Sequence, residues 1–457
     1  MKQDTIAAIA SGMTQSGIGI IRISGDEAFE IADRIFRGAG GKKLKDADTH
    51  TIHYGYLYDE DHLIDEVLVS VMRAPKTYTR EDTVEINCHG GILTMKKTLE
   101  TVLSHGARIA EPGEFTKRAF MNGRVDLSQA EAVIDLINAR NTMAMDSSLK
   151  HLRGGMKKLI QDIRYEMLGN IAEIESALDD PEHLSLDHYG EKLGPQVKQY
   201  LEKLDHLMET SENGRLIREG IRTAIVGKPN AGKSSLMNLL LGTDRAIVTE
   251  IAGTTRDTLE ESLMIGGIPI QIIDTAGIRD TEDIVEKIGV DKAIRMADEA
   301  DLVLFVADGS ETLDDNDKKV IQMISEKKAI ILLNKSDLET KTRKEDVLTL
   351  IDKPIIEISA KTGEGLGELE DEIKEMFFSA NISFNEEIYV TNVRHQQAIA
   401  SAIHSLKQVM ISINNDMPED FFSIDLMDAY EQLGLITGES VEDDLADRIF
   451  SEFCMGK

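Results

Sequence analysis

The chain of 457 residues has little cysteine, no long apolar run and no excess of positive charge. Its two cysteines, Cys88 and Cys454, argue against a disulfide framework. No apolar run reaches the roughly 18 residues that a membrane-spanning helix needs. The first residues, MKQDTIAAIASGM, lack the apolar core of a secretory signal. These absences predict a cytoplasmic protein.

The charge balance is strongly acidic, with 82 Asp and Glu against 51 Lys and Arg, which gives a formal net charge of −31. Broad, non-specific binding to nucleic acid normally requires a basic surface, so this balance argues against it. An RNA partner would need a local basic patch, or a second protein that supplies one.

The length predicts two or three domains, and the apolar patterns divide the chain into blocks. Residues 1–118 mix strands and helices, which indicates a small α+β domain. Residues 119–219 and 380–457 carry apolar residues at helical spacing. Residues 220–379 alternate strands with helices, as an α/β domain does. The economical architecture is a multidomain chain in which the α/β domain is inserted into a discontinuous α-helical domain.

The individual elements can be predicted from apolar periodicity and from glycine and proline signals. Gly154–Gly155 predicts a helix break, and Pro181 predicts a helix end. Strands are expected at residues 18–24, 51–58, 66–72, 83–88, 223–226, 269–273, 302–307, 329–333 and 355–359, and helices at 26–36, 92–104, 196–218, 395–413, 422–434 and 441–453.

The most informative stretch is GKPNAGKSS at residues 227–235, which follows an apolar strand and precedes a helix. In that setting the pattern G-x-x-x-x-G-K-[ST] predicts a phosphate-binding loop. Its backbone N–H groups and the helix N-terminus attract anions. Lys233 would reach the β- and γ-phosphates, and Ser234 would offer its hydroxyl to Mg²⁺.

Two further motifs predict the metal-binding side of the site. GTTRD at residues 253–257 offers Thr255 to Mg²⁺. DTAG at residues 274–277 ends an apolar strand, so that Asp274 can hold the Mg²⁺ water shell and Gly277 can sense a γ-phosphate.

The last two motifs select the base. Asp337 of NKSD can accept two hydrogen bonds from the N1–H and N2 amine of guanine, which adenine does not offer. SAK at residues 359–361 can present a backbone N–H to guanine O6. Four ordered motifs after a phosphate loop predict a P-loop GTPase domain.

One position departs from the Ras pattern, because Ile278 follows DTAG where Ras-like enzymes carry the glutamine that orients water. Asn230 in the phosphate loop offers an alternative, since its carbonyl oxygen could ligate a cation near the phosphates. The other interpretation of Asn230 is a turn-forming asparagine, and spacing alone leaves both open.

The stretches GKPNAGKSSLMN, IVTEIAGTTRD, DTAG, NKSD and the terminal CMGK together resemble the MnmE (TrmE) family, the GTPases of tRNA wobble-uridine modification. The resemblance covers the whole chain. The usual terminus of the family is CIGK, so CMGK is a conservative departure.

The resemblance implies K⁺ activation when the two G domains of a homodimer meet. Asn230, Thr249, Ile251 and Thr254 would ligate K⁺, and Ser234 and Thr255 would hold Mg²⁺. Glu286 would position the attacking water, although without the family it would be interpreted as a solvated helix charge. The residues assigned to GTP and its ions are Asn230, Ala231, Gly232, Lys233, Ser234, Ser235, Thr249, Glu250, Ile251, Ala252, Gly253, Thr254, Thr255, Asp274, Thr275, Ala276, Gly277, Asn334, Lys335, Asp337, Ser359, Ala360 and Lys361.

The family's N-terminal domain resembles a folate-binding fold, forms the dimer and binds a formyl- or methylene-tetrahydrofolate as one-carbon donor. The matching positions are Arg22, Glu85 and Arg124, with Lys457 near the folate. Arginine suits the carboxylates of folate, and Glu85 can pair with the pterin N–H groups. Without the family, these would be interpreted as ordinary surface residues.

Cys454 matches a family cysteine that is a candidate nucleophile or positioning group, whereas a terminal thiol is usually inert. Cys88 lies in a strand pattern and is expected in the core. The family works with MnmG, an FAD- and NADH-using protein. That partner could supply a basic tRNA-binding surface, which predicts weak tRNA binding by this chain alone.

The leading hypothesis is therefore a K⁺-activated GTPase that, with MnmG, adds a carboxymethylaminomethyl-type group to C5 of the wobble uridine of certain tRNAs. One alternative is a ribosome-assembly GTPase switch, which would need an RNA module after the G domain. Residues 381–457 show acidic helices without a GXXG loop. A second alternative is a nucleotide-gated scaffold without modification chemistry, and folate binding would distinguish it.

Overall fold

The computed structural model describes residues 4–41, 43–139, 141–243, 261–273, 297–378, 388–439, 449–451, 453 and 456. The chain forms two compact units. The first contains Met1–Ile134, His151–Ser176 and Leu426–Lys457, and the second contains Asp135–Lys150 and Ala177–Asp425. Within the described residues, no helix combines the length and the apolar character needed to cross a membrane.

The first unit contains a mixed sheet whose strands lie in the order β3-β4-β5-β6-β2-β1-β7. Its pairs are antiparallel apart from β1 with β7. The predicted strands are confirmed, and the short β1, β3 and β7 are additions to them. The bounds are β1 Ile6–Ile9, β2 Ile18–Ser24, β3 Phe36–Gly38, β4 Thr51–Asp59, β5 His62–Met72, β6 Thr83–His89 and β7 Arg108–Ile109.

Two helices pack on this sheet, α1 (Ala28–Ile35) and α2 (Ile92–Ser104), both where helical spacing predicts them. Their apolar faces join the strands in one core, and Cys88 lies in it as expected, with 2% of its surface exposed. Burial raises the pKa of the Cys88 thiol to about 11. Such a thiol stays protonated near neutral pH and acts as a small apolar side chain.

Helices follow the sheet in the chain: α3 (Glu114–Met121), α4 (Leu127–Asn138), α5 (Thr142–Leu152) and α6 (Gly155–Asp179). The predicted break is confirmed, since α5 ends and α6 begins around Gly154, which has a φ of +87°. The end predicted near Pro181 is confirmed as well.

The second unit contains α7 (Tyr189–Glu219), which begins before the predicted start at 196 and runs through Pro195. Gly220, with a φ of +87°, then turns the chain directly into the first strand of a second sheet.

The second sheet has the strand order β13-β12-β11-β8-β10-β9 and is parallel except for the pair β9–β10. Ligands of open parallel sheets bind beyond the carboxyl ends of the strands, so this edge is where a site is expected. Its five predicted strands are confirmed, and β9 is an addition. The bounds are β8 Ile221–Val226, β9 Glu261–Ile265, β10 Ile268–Ile272, β11 Leu302–Asp308, β12 Ala329–Asn334 and β13 Ile355–Ile358, with helices α8 Lys233–Thr243, α9 Asp315–Met323, α10 Lys344–Leu348 and α11 Leu366–Phe377.

The last long helices are α12 (Val393–Asn414), which packs on α7, and α13 (Asp420–Thr437). Both confirm the predicted helical pattern. The helix predicted at 441–453 lies mostly outside the described residues. Residues 449–451, which belong to that range and are described, are helical.

Candidate functional site

The predicted phosphate loop joins β8 to α8 at the carboxyl edge of the second sheet. Gly227 has a φ of +150°, and a Cβ there would lie 2.2 Å from the Val306 carbonyl oxygen. Gly232 has a φ of +99°, and a Cβ there would lie 2.0 Å from Asn334 Nδ2. Only glycine fits such close approaches. The two motif glycines are therefore required by β11 and β12 as well as by the loop itself.

Lys233 begins α8 and its side chain turns back along the loop. Its Nζ donates to the carbonyl oxygens of Gly227 at 2.7 Å and Lys228 at 2.6 Å. Burial lowers the pKa of this lysine. Ser234 and Ser235 lie exposed in the first turn of α8, where the positive end of the helix dipole favours an anion.

Asn334 connects two of the predicted motifs. It ends β12 and is 2% exposed. Its Nδ2 donates to the Ala231 carbonyl at 2.8 Å, and its Oδ1 accepts from the Ala360 N–H at 2.9 Å. One buried side chain thereby fixes the distance between the phosphate loop and the loop that follows β13. We call this pair of hydrogen bonds the Asn334 bridge.

Asp337 is held by Ser359, whose hydroxyl donates to Asp337 Oδ1 at 2.8 Å. Ser359 is fully buried, and its hydroxyl also accepts from the Thr362 N–H at 3.2 Å. The Asp337 carboxylate is thereby tied to the loop that follows β13. Lys361, two residues after Ser359 in the chain, is exposed.

Lys335 lies between these motifs with a φ of +70° and forms an ion pair with Asp308 at the end of β11. Burial acts to raise the pKa of the Asp308 carboxyl, but hydrogen bonds from Lys335 and Ser310 outweigh it and lower the pKa. Asp308 belongs to none of the motifs predicted from the sequence, although it ends an apolar strand in the same way as Asn334. Lys228, Asn230, Asp308 and Lys335 line a cavity of about 190 Å³ beside the phosphate loop.

Several predicted site residues lie outside the described part of the chain. They are Thr249, Glu250, Ile251, Ala252, Gly253, Thr254, Thr255, Asp274, Thr275, Ala276, Gly277, Glu286, Cys454 and Lys457.

A second cluster lies on the sheet of the first unit. Arg22 on β2 and Glu85 on β6 are direct cross-strand partners, and Arg22 Nε lies 2.8 Å from Glu85 Oε1. Their side chains are 18% and 22% exposed. The guanidinium carbon of Arg22 lies 5.9 Å from the centre of the Tyr78 ring and 5.5 Å from that of Phe115.

Arg124 reaches the same aromatic ring, with its guanidinium carbon 4.9 Å from the centre of Tyr78. The Tyr78 hydroxyl lies 2.9 Å from Thr116 Oγ1. The structure therefore brings the three predicted residues Arg22, Glu85 and Arg124 around Tyr78, and we call this cluster the Arg22 pocket. Tyr78 lies in a loop without periodic pattern, so no sequence signal marks it.

The end of the chain adjoins this pocket. Arg22 Nη1 donates to the Gly456 carbonyl at 3.1 Å. Gly456 has a φ of +86°, and a Cβ there would lie 2.3 Å from the Ile9 carbonyl oxygen. Only a glycine allows the tail to lie this close to the end of β1.

A phosphate loop bounded by two glycines and followed by a helix, together with the NKSD and SAK motifs at the same edge of a parallel sheet, defines the class of P-loop GTPases. The comparisons with known proteins narrow this class. The model of the GTP-binding protein TrmE N-terminus matches residues 5–124, and that of the MnmE helical domain matches residues 127–454.

Relatives match over the full length. The tRNA modification GTPase MnmE of Lachnoclostridium phytofermentans is 57% identical over 100% of both chains, and that of Acetivibrio thermocellus is 50% identical over 100% of both. This chain belongs to the family of MnmE tRNA modification GTPases, and it is a GTP hydrolase. Among solved structures, the G domain of the T. maritima FeoB iron transporter is 26% identical, covers 34% of this chain and 98% of its own, and has a TM-score of 0.26.

Proposed function

We propose that this protein is a K⁺-activated GTPase that acts with the FAD-containing protein MnmG. Together they would add a carboxymethylaminomethyl-type group to C5 of the wobble uridine of certain tRNAs, in the cytoplasm. A formyl- or methylene-tetrahydrofolate would be the one-carbon donor. The observation that carries the nucleotide part is the Asn334 bridge, because it ties the phosphate loop to the loop that would meet the guanine.

Each block of the chain has its own function. Residues 1–118 bind tetrahydrofolate and form the homodimer, and residues 220–379 are the GTPase domain. Residues 119–219 and 380–457 build one helical domain that carries the CMGK end. GTP turnover would bring two G domains together and shift the helical parts.

In the GTPase domain, Lys233 would meet the β- and γ-phosphates, and the Asp337 carboxylate would accept hydrogen bonds from guanine. The exposed Ser234 hydroxyl at a helix N-terminus suits Mg²⁺, with Thr255 as a second ligand. Asn230 lines the cavity beside the loop, where its amide oxygen suits K⁺, and Thr249, Ile251 and Thr254 would complete that set. When bound, these cations offset the negative charge that spreads over the phosphates. Glu286 is proposed to orient water.

In the first unit, the Arg22 pocket has the charges that a folate needs. Arg22 and Arg124 supply two cations for glutamate carboxylates, and Glu85 supplies an acceptor for pterin N–H groups. The Tyr78 ring contacts both guanidinium groups, so an aromatic surface lies beside the two cations, which suits a flat ring that carries carboxylates. Gly456 brings the tail to this pocket. The proposal therefore places Cys454 and Lys457 near the one-carbon donor, with Cys454 as nucleophile or positioning group.

Mass spectrometry of wobble uridines tests the proposal. Cells that lack this protein are complemented with the natural chain, with Lys233→Ala or with Arg22→Ala. We expect only the natural chain to restore the carboxymethylaminomethyl-type group, because the variants lose GTP turnover and one-carbon binding respectively. Fully modified uridines in cells without the protein would overturn the proposal.

The role of MnmG can be tested by tRNA binding. With a net charge of −31, the chain alone should bind tRNA weakly, and addition of MnmG should strengthen binding. Nanomolar, salt-sensitive binding of bulk RNA by the isolated chain would contradict this assignment.

A further inference from the structure

Ion pairs join Lys228 of the phosphate loop to the start of α9, and they have no role in the assignments above. Lys228 Nζ lies 2.6 Å from Asp314 Oδ2 and 2.6 Å from Asp317 Oδ2. The side chain of Asp317 is only 7% exposed, and that of Lys228 is 30% exposed. Lys228 is therefore held as a cation between two anions.

The two carboxylates are fixed independently of Lys228. Asp314 is the N-cap of α9, and its side chain accepts from the Asn316 and Asp317 N–H groups. The Asp317 side chain accepts in return from the Asp314 N–H, which completes a capping box. A reciprocal cap holds both side chains to the first turn of the helix. Lys228 thus binds to a rigid partner.

Lys228 contacts the phosphate-binding lysine through its backbone. Its carbonyl oxygen accepts from Lys233 Nζ at 2.6 Å. Two residues further on, Asn230 has a φ of +65°, an uncommon conformation that its neighbours must hold in place. Asn230 lines the same cavity as Lys228 and Asp317. The anchored side chain of Lys228 therefore restrains the backbone that presents both Lys233 and Asn230.

We propose that Lys228 is a positioning residue for GTP. Through Asp314 and Asp317 it anchors the phosphate loop to α9, and so holds Lys233 and Asn230 where the phosphates and the activating cation meet them. The inference rests on the phosphate-loop role proposed above, and it deepens that role. It also makes the start of α9 part of the nucleotide site, although α9 carries none of the predicted motifs.

Equilibrium binding of a fluorescent GTP analogue to the full chain, with steady-state GTP hydrolysis, tests this proposal. Lys228→Met keeps the length of the side chain and removes its charge, and we expect about tenfold weaker binding. Lys228→Arg keeps the charge and should stay within about threefold of the natural chain. The KM for GTP should rise more than kcat falls, because the loop is displaced and its chemical groups remain.

The acidic side of the anchor has a matched control. Asp314→Asn keeps a good N-cap and removes one carboxylate, so we expect binding to weaken about threefold. Asp315→Asn is the control, because Asp315 is 94% exposed and its pairing with Lys318 spans 3.9 Å. It should bind GTP like the natural chain. The double variant of Lys228→Met and Asp314→Asn should bind no more weakly than Lys228→Met alone, since the two changes break one anchor.

Three results would overturn the inference: binding by Lys228→Met within about twofold of the natural chain, additive losses in the double variant, or equal losses in Asp314→Asn and Asp315→Asn. Thermal unfolding of every variant checks folding. If Lys228→Met does not fold, Asp314→Asn decides, and unchanged binding in that variant refutes the anchor. Lys233→Ala distinguishes a failure of the phosphate-loop assignment from a failure of the Lys228 anchor. If Lys233→Ala retains GTP binding and turnover, the phosphate-loop assignment itself fails. If Lys233→Ala loses them while the Lys228 variants bind GTP as the natural chain does, only the anchor is refuted.

Discussion

The nucleotide site and the Arg22 pocket differ in the way that the sequence encodes them. The nucleotide site uses short contiguous motifs, because each loop follows one strand and the parallel sheet brings the strand ends together. The Arg22 pocket takes single residues from β2, β6, two loops and the tail. A contiguous motif fixes its own geometry, whereas scattered residues acquire theirs only when the sheet has formed.

The two sites also differ in rigidity. Asn334 is 2% exposed, and its side chain forms a hydrogen bond with the backbone of the phosphate loop. Ser359 is fully buried, and its hydroxyl donates a hydrogen bond to Asp337. Arg22 and Glu85 are about one-fifth exposed and bonded chiefly to each other. Buried hydrogen bonds are costly to break, while a partly solvated ion pair exchanges partners readily. We infer that the first site is preorganised, and that the second can open its ion pair to admit a ligand.

The largest expected effect is on base recognition. Asp337→Asn removes an acceptor of two charge-assisted hydrogen bonds, so GTP should bind roughly 100-fold more weakly, and xanthosine triphosphate should gain. Titration with GTP and with xanthosine triphosphate measures the change in affinity for each nucleotide. Glu339→Gln, at an exposed position nearby, is the control. Unchanged GTP affinity would remove Asp337 from base recognition.

A smaller effect is expected in the Arg22 pocket. Arg22→Ala removes one of two cations, and 5-formyltetrahydrofolate should bind about 10- to 100-fold more weakly. Isothermal titration measures this binding. Arg37→Ala is the matched control, since Arg37 is 58% exposed and lies in the same unit. Equal folate affinity in the natural chain and in Arg22→Ala would refute the pocket, and the nucleotide proposal would be unaffected.

The cation response is the next test. GTP hydrolysis should be faster in K⁺ than in Na⁺, and Asn230→Ala should reduce that preference about tenfold, because one oxygen ligand is lost. Rates in matched KCl and NaCl solutions give the ratio. Equal rates of the natural chain in both salts would leave Asn230 as a turn residue only.

The smallest effect concerns Glu114, which begins α3 and precedes Phe115, the ring 5.5 Å from the Arg22 guanidinium carbon. Burial acts to raise the pKa of Glu114, but hydrogen bonds from Arg108, the Glu111 N–H and Arg118 outweigh it and lower the pKa. A carboxyl group whose pKa is lowered by folding stabilises the fold at pH values above its ordinary pKa of 4.5. That stabilisation is lost as the pH falls through the lowered pKa of the folded state. Glu114→Gln should therefore cost about 1–2 kcal/mol at neutral pH and less in acid.

Urea unfolding followed by circular dichroism at several pH values measures this cost. Glu100→Gln is the control, because Glu100 is 68% exposed and lies 4.0 Å from its nearest cation. A loss in Glu114→Gln that stays constant as the medium becomes acid would contradict the ionic explanation.

The sequence predicts most of this fold, because its strands and helices have clear apolar periods. The short β1, β3, β7 and β9 escaped prediction, since few residues carry each pattern. The start of α7 escaped as well, because its periodic face becomes clear only after Pro195. For the sites, motif logic alone identifies Lys233, Asn334 and Asp337.

Other site residues depend on contacts that no local pattern reveals. Arg22, Glu85 and Arg124 were expected only from a family resemblance, because charged residues on strands and loops are usually ordinary surface. Tyr78 and Lys228 emerge only in three dimensions. The Tyr78 ring is contacted by two arginines that are distant in sequence, and Lys228 is a phosphate-loop residue whose partners lie on α9.

The contact between Arg22 and Gly456 also has a consequence for synthesis on the ribosome. Arg22 emerges early, but its partner is 434 residues further along the chain. Phe450 and Phe453, which pack against Ala119 and Val125, are also translated late. Chains emerge N-terminus first at about 5–20 residues per second, so the first sheet must wait for tens of seconds before its pocket is complete. Residues 220–379 leave the ribosome during that interval, so the order of synthesis favours completion of the nucleotide site before the Arg22 pocket.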